Sequence, residues 1–168
     1  MRPILITLAL SLFAAPTFAA TAPRVPIASF EQLAKPLPLP YDEKANATAQ
    51  VAAAKARARA RHKLLLIDLG GNWCLDCRLL AGTMDVAALK TFLDKHYEIV
   101  TVDVGRMDKN LAIPAHYGLK DRLQGVPSLL VVDPRTDKLL NAGRTAALAD
   151  ARSMSPQGLA DWLAQWVK

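Results

Sequence analysis

One stretch limits the folds open to this chain more than any other. Residues 64–78 read Leu-Leu-Leu-Ile-Asp-Leu-Gly-Gly-Asn-Trp-Cys-Leu-Asp-Cys-Arg. From Lys63 to Leu69 the run is apolar apart from the Lys63 that opens it and Asp68. A run without polar alternation suits a central strand buried on both faces. Gly70-Gly71 end it, and Cys74 opens a helix on which Leu75, Leu79 and Leu80 recur at helical spacing until Gly82. The chain has two cysteines, both in this stretch and three positions apart. A bridge between neighbours on one helical turn closes almost no loop and adds little stability. Cys-x-x-Cys within an α/β pattern points instead to a dithiol redox site.

The flanking pattern is α/β. Asp42 to Arg61 is rich in alanine, with Asp42 and Glu43 first and Arg57, Arg59 and Arg61 last, an order that complements a helix dipole. Asp85 is placed to cap a further helix carrying Val86, Leu89, Leu93 and Tyr97. Glu98 to Val104 alternates, with Val100, Val102 and Val104 on one face of a strand. Asn110 to Tyr117 is a short helix stopped by Gly118. Leu119 to Gln124 is a polar connection. Leu129 to Val132 is another buried strand, and Asp133 to Asp137 a turn into a hairpin strand, Lys138 to Asn141. Residues 143–154 form a partly helical excursion. Ser155 then caps a last helix with Pro156 at its first position and Leu159, Trp162, Leu163 and Trp166 on its inner face. The strands at 63 and 98, joined through helices, should be parallel neighbours. A central mixed sheet flanked by helices follows.

The 168 residues suffice for one domain with a real core. Residues 1–19 have the pattern of a cleavable secretory signal: basic Arg2, an apolar run from Ile4 to Ala15, then Thr17-Phe18-Ala19 before the cut. That run is short for a bilayer span. Residues 20–41 hold Pro23, Pro26, Pro36, Pro38 and Pro40 and read as a linker or extended arm, with Ile27 to Leu33 a short strand or turn packed on the domain. The domain proper is expected over 42–168. Export across the inner membrane into the periplasm would put the dithiol in an oxidising compartment, where its redox poise matters. The formal net charge is +6. The basic run Lys55 to Arg61 alternates with alanine and spreads around a helix, as a solvated face does, so no nucleic-acid partner is expected.

At the dithiol, the thiolate is the attacking form. Cys74 stands at a helix start, where free N–H groups and the dipole favour the thiolate, and the helix turns Cys77 inward. Cys74 is therefore expected to be the nucleophile and Cys77 the resolving thiol. Asp76 lies between them. It is either a solvated acid at a helix start or a charge that raises the Cys74 pKa and biases the pair towards reductant. Asp68 interrupts a strand of Leu and Ile. It is either a strand-end Asp bonded to backbone or a buried carboxyl of raised pKa that accepts a proton during resolution.

Trp73-Cys74-x-x-Cys77, Asp68 six positions before Cys74, and Gly125-Val126-Pro127 before a buried strand resemble the thioredoxin family. The order of elements fits from about residue 42 onward. In detail the chain is similar to periplasmic thioredoxin-like proteins and to the C-terminal domain of the membrane thiol:disulfide interchange protein. The resemblance implies that Cys74 attacks, Cys77 resolves and Asp68 is the buried acid. It implies that Trp73 covers the site and that Pro127 is a cis proline facing the dithiol. Val126 would pair through its backbone with an extended substrate. A trans Pro127 at a strand start is the alternative. The chain departs from the family in having Leu75-Asp76 between the cysteines, a longer 119–124 link and the added 143–154.

The function expected is thiol:disulfide exchange, reducing protein or small-molecule disulfides, by a monomer without cofactor or metal. Its partners would be disulfide-containing proteins and a membrane or periplasmic thiol electron donor. The sequence also fits two alternatives. Two thiolates are half of a tetrahedral metal site, with His62, His96 and His116 the chain's only histidines. A binding module on the same fold, with idle cysteines, is the other.

Overall fold

β1 (Leu64–Gly70) is an inner strand of the sheet, paired on both sides. The computed structural model describes residues 20–120 and 122–168, so the expected signal segment lies outside the described residues. The sheet order is β2-β1-β3-β4, with β2 at Tyr97–Asp103, β3 at Ser128–Asp133 and β4 at Lys138–Leu139. β1 runs parallel to β2, Leu64 opposite Tyr97 and Gly70 opposite Asp103. It runs antiparallel to β3, Leu65 opposite Val132 and Leu69 opposite Ser128. With pairing on both sides, Leu65, Leu66, Ile67 and Leu69 are fully buried. Each such side chain contributes about 1.5–3 kcal/mol of transfer free energy.

The helices fall on both faces, as the mixed-sheet expectation requires. α1 (Ala47–Ala60) lays Ala54 and Ala58 against Leu65, Ile67, Val100 and Val102. α4 (Ala112–His116) adds Ile113 to the same cluster, and Gly118, at φ +90°, ends it in the left-handed region. α2 (Leu75–Met84), α3 (Ala87–His96) and α5 (Pro156–Ala164) bring Leu80, Leu89, Leu93, Leu159 and Leu163 to Leu66, Leu129 and Val131. Ser155 caps α5 by accepting from the Gly158 N–H, with Pro156 in the first turn as expected.

Several local expectations are corrected. α1 starts at Ala47, not Asp42, because the Asn46 side chain accepts the Ala49 N–H and Asp42 is spent on a turn with Lys44. Asp85 does not cap α3. Its own N–H closes α2 on Ala81, and Val86 stands at the α3 cap position. β4 is two residues long, because the side chain of Asn141 takes over the ladder, accepting from Val131 N–H and donating to the Leu129 carbonyl. The excursion at 143–154 contains one short 3-10 turn, Ala151–Ser153.

The proline-rich segment is no free linker. It carries a 3-10 turn at Phe30–Gln32 and buries Val25, Leu33, Leu37 and Tyr41. Ala20 N–H donates to the Val167 carbonyl, and Gln157 bonds the backbone of Pro23 and Val25. Proline excludes this stretch from helix and sheet, but side chains elsewhere supply its backbone partners.

Candidate active site

The strand-to-helix corner after β1 builds the site. Gly70-Gly71 are required there by close approach. A Cβ on Gly71 would meet the folded-back Trp73 ring at 2.6 Å. The Tyr41 hydroxyl and the Cys77 sulfur both lie within 2.8 Å of where a Gly70 Cβ would sit. Cys74 is the cap residue of α2, with extended backbone, and Cys77 lies on the first turn. The two are joined as a disulfide with Cα atoms 5.3 Å apart. Cys74 is 5% exposed and Cys77 wholly buried. The Cys77 N–H points at the Cys74 sulfur from 3.1 Å, a position from which it would stabilise a thiolate there.

The Gly125-Val126-Pro127 loop closes over the pair. The Val126–Pro127 peptide is cis, and the Val126 carbonyl oxygen stands 3.4 Å from the Cys74 sulfur. Trp73 is 45% exposed and lies at the rim, its Nε1–H donating to the Gly105 carbonyl at 2.8 Å. The Arg106 guanidinium stacks 4.4 Å from its ring centroid. Between these walls is an open groove of about 390 Å³ lined by Trp73, Cys74, Leu75, Met107, Val126 and Arg152. A larger cavity of about 460 Å³, beside Arg59, His62, Lys95, His96 and Arg135, touches none of these residues.

Asp68 is 1% exposed. Burial pushes its carboxyl up to about 7, against a hydrogen bond from Tyr41 that favours the charged form. That bond, Tyr41 Oη to Asp68 Oδ1 at 2.9 Å, is the one the buried carboxylate receives from a side chain among the described residues. So Asp68 is bonded to a side chain of the arm. The arrangement puts the Cys74 sulfur at an open groove, the Cys77 sulfur beneath it, and the buried Asp68 carboxyl behind.

The sequence carries a Thioredoxin-like family domain over residues 46–134. It is 39% identical to a solved disulphide isomerase from Xylella fastidiosa Temecula1, over 76% of this chain and 96% of that one, with a TM-score of 0.68. The chain belongs to the thioredoxin-like family. With its Cys74–Cys77 pair it is a thiol:disulfide oxidoreductase. A solved protein of unknown function from Pseudomonas aeruginosa is 18% identical over 73% of this chain and 82% of its own, with a TM-score of 0.38. No curated protein matches.

Within this thioredoxin-like site Asp76 is not the solvated acid that a helix start suggests. It is 5% exposed, and Arg152 from the 143–154 excursion clamps it. The Arg152 N–H and Nε–H reach Asp76 Oδ1 at 2.9 and 3.0 Å, and an Arg152 terminal nitrogen reaches Oδ2 at 2.5 Å. Burial alone would raise the Asp76 pKa; the Arg152 bonds outweigh it and hold the carboxyl below its ordinary range. The repulsion of a Cys74 thiolate expected from Asp76 is therefore offset by a guanidinium. Opposite effects of the two single variants follow. At pH 8, Asp76→Ala should lower the Cys74 pKa and make the pair more oxidising. Arg152→Ala should raise it and make the pair more reducing, each pKa unit being worth about 30 mV. Iodoacetamide alkylation against pH and equilibration with glutathione check both. Shifts of the same sign would refute the charge-pair account.

Sequence reasoning missed Tyr41 and Arg152. Neither carries a local signal, since they lie 27 and 76 positions from the acids they bind.

Proposed function

We propose that the protein works as an exported thiol:disulfide reductase of the periplasm. In this reading it draws electrons from a membrane or periplasmic thiol donor and passes them through Cys74 and Cys77 to disulfide-bonded proteins. The observation that carries it is the graded burial of the pair, with Cys74 at the open groove and Cys77 beneath it beside the Tyr41–Asp68 bond. Cys74 attacks a substrate disulfide and forms a mixed disulfide. Cys77 then loses its proton to Asp68 and attacks Cys74, which releases the substrate thiolate. An extended substrate segment lies in the groove against Trp73 and the backbone of Val126, beside cis-Pro127. The arm and signal pattern at the N-terminus, together with the resemblance to periplasmic thioredoxin-like proteins, support export.

The similarity to a protein named a disulphide isomerase favours one second reading, in which the same reduced Cys74 reshuffles wrong disulfides. Both readings begin from the reduced pair, so both predict that reduced protein cleaves insulin disulfides faster than the oxidised form oxidises a dithiol peptide. Faster peptide oxidation would reverse the direction. Inertness towards both would favour a binding module with idle cysteines. In cell fractions of a Gram-negative host the chain is expected in the periplasm, beginning at Ala20. Accumulation in the cytoplasm from Met1 would rule out the export reading.

A further inference from the structure

The arm reaches the redox centre at one residue. Tyr41 is 2% exposed and is held at three points. Its N–H donates to Asn72 Oδ1 at 3.1 Å, and Asn72 Nδ2 donates back to the Tyr41 carbonyl at 2.8 Å. Its hydroxyl donates to Asp68 Oδ1 at 2.9 Å. Asn72 lies two residues before Cys74, so the backbone of Tyr41 is tied to the corner that carries the nucleophile. The preceding residues are tied as well. Arg78, next to Cys77, donates to the carbonyls of Leu37 and Pro38 at 3.1 and 3.2 Å, and Thr101 Oγ1 donates to the Pro40 carbonyl at 2.8 Å. Residues 37–41 are thus fastened to both sides of the dithiol motif, with the hydroxyl delivered beside Cys77.

We propose that Tyr41 is a positioning residue for the resolving step, its hydroxyl fixing the Asp68 carboxylate so that it can take the proton of Cys77. This rests on the reading of Asp68 as proton acceptor. In the step, the Cys77 S–H bond breaks and its proton goes to Asp68. The Cys77 thiolate forms a bond to the Cys74 sulfur, and the Cys74–substrate S–S bond breaks. The electron pair leaves on the substrate sulfur, and the substrate is reduced as the cysteine pair is oxidised. Tyr41 ends as it began. Burial and the Asp68 charge hold its hydroxyl well above the ordinary tyrosine range, so it remains a donor throughout. A donor to a carboxylate favours the ionised form, which is the form that accepts a proton.

The groups around Asp68 can be named from each neighbouring element. β2 sets Thr101 opposite it and β3 sets Leu129, neither of which titrates. The arm brings Tyr41, and α2 brings Cys77. Asp103 at the end of β2 acts on the Tyr41 hydroxyl and is itself paired with Lys109 at 3.4 Å.

Reduced protein reacting with dithionitrobenzoate reads the two steps separately. Attack by Cys74 frees one thionitrobenzoate, and resolution by Cys77 frees the second. In Tyr41→Phe the first release should stay within about twofold of the original protein. The second should have its pH midpoint raised by about one unit, with the rate at pH 7 down about fivefold. 3-Fluorotyrosine at position 41 keeps the packing and donates more strongly, so its midpoint should fall. Because Tyr41 acts through Asp68, adding Tyr41→Phe to Asp68→Asn should change nothing further. An unmoved midpoint in both position-41 variants, or equal slowing by Tyr41→Phe with and without Asp68, would overturn the role of Tyr41. A pH profile that Asp68→Asn leaves unchanged would instead overturn the reading of Asp68 itself.

Discussion

Asp68→Asn is expected to make the oxidised protein more stable at pH 8 while leaving it little changed at pH 4. Asp68 has its carboxyl raised from 3.8 to about 7 by burial. The native state therefore binds one more proton than the unfolded chain between those values. Stability is highest below the unfolded value, falls as pH climbs through the window, and is flat above about 7. The full span corresponds to about 4 kcal/mol lost by the original protein. Asparagine has nearly the same shape and can still accept the Tyr41 hydroxyl, so it removes the titration without opening a cavity. Urea unfolding at pH 4, 6 and 8 measures the difference. Parallel stability profiles for the two proteins would show that Asp68 is not a strained carboxyl. The same variant should slow release of the second thionitrobenzoate and remove one ionisation from its pH profile. A fold that gives up stability at neutral pH to keep this acid has a use for it beyond packing.

What could be read in the chain beforehand was what lies close in sequence. β1, the glycine corner, Cys74 at the helix start and the buried Cys77 all follow from one stretch whose apolar run, breaker and helical spacing act locally. The place of Gly125-Val126-Pro127 over the dithiol was legible only through the resemblance to the thioredoxin family, since the residues alone left a trans proline at a strand start open. The two acids were legible only as anomalies. Asp68 stood out because nothing else polar occurs in its strand, but no periodicity could indicate that a tyrosine from the arm would bind it. Asp76 was open between a solvated helix-start acid and a charge acting on Cys74, and the distant Arg152 that buries and pairs it had no local signal. The arm was legible as a non-helical segment, linker or packed arm, but its partners were not, for a related reason. Proline content reports what backbone geometry is excluded, and says nothing of side chains such as Arg78 and Gln157 that satisfy an irregular backbone from outside.

The largest effects should come from the cysteines, and they differ in kind. Cys77→Ala leaves Cys74 free to attack, with the Cys77 N–H site still 3.1 Å from its sulfur, since that donor is backbone. The mixed disulfide then has no internal thiol to break it. Substrate should accumulate on Cys74, released by dithiothreitol, and insulin reduction should fall to the uncatalysed rate. Cys74→Ala should trap nothing, because Cys77 has no exposed surface from which to meet a protein disulfide. Trapping by Cys74→Ala in place of Cys77→Ala would reverse the assigned roles. The same variant separates the two readings of the function. A reductase needs Cys77 in every cycle, because its substrate must leave with both sulfurs reduced. An isomerase can let a second thiol of the substrate break the mixed disulfide, with no net change in oxidation. Cys77→Ala should therefore lose rearrangement of a scrambled ribonuclease along with insulin reduction if the protein is a reductase. Rearrangement kept while reduction is lost would move the assignment to isomerase, with Cys74, the Val126 carbonyl and the groove beside Trp73 serving the same attack.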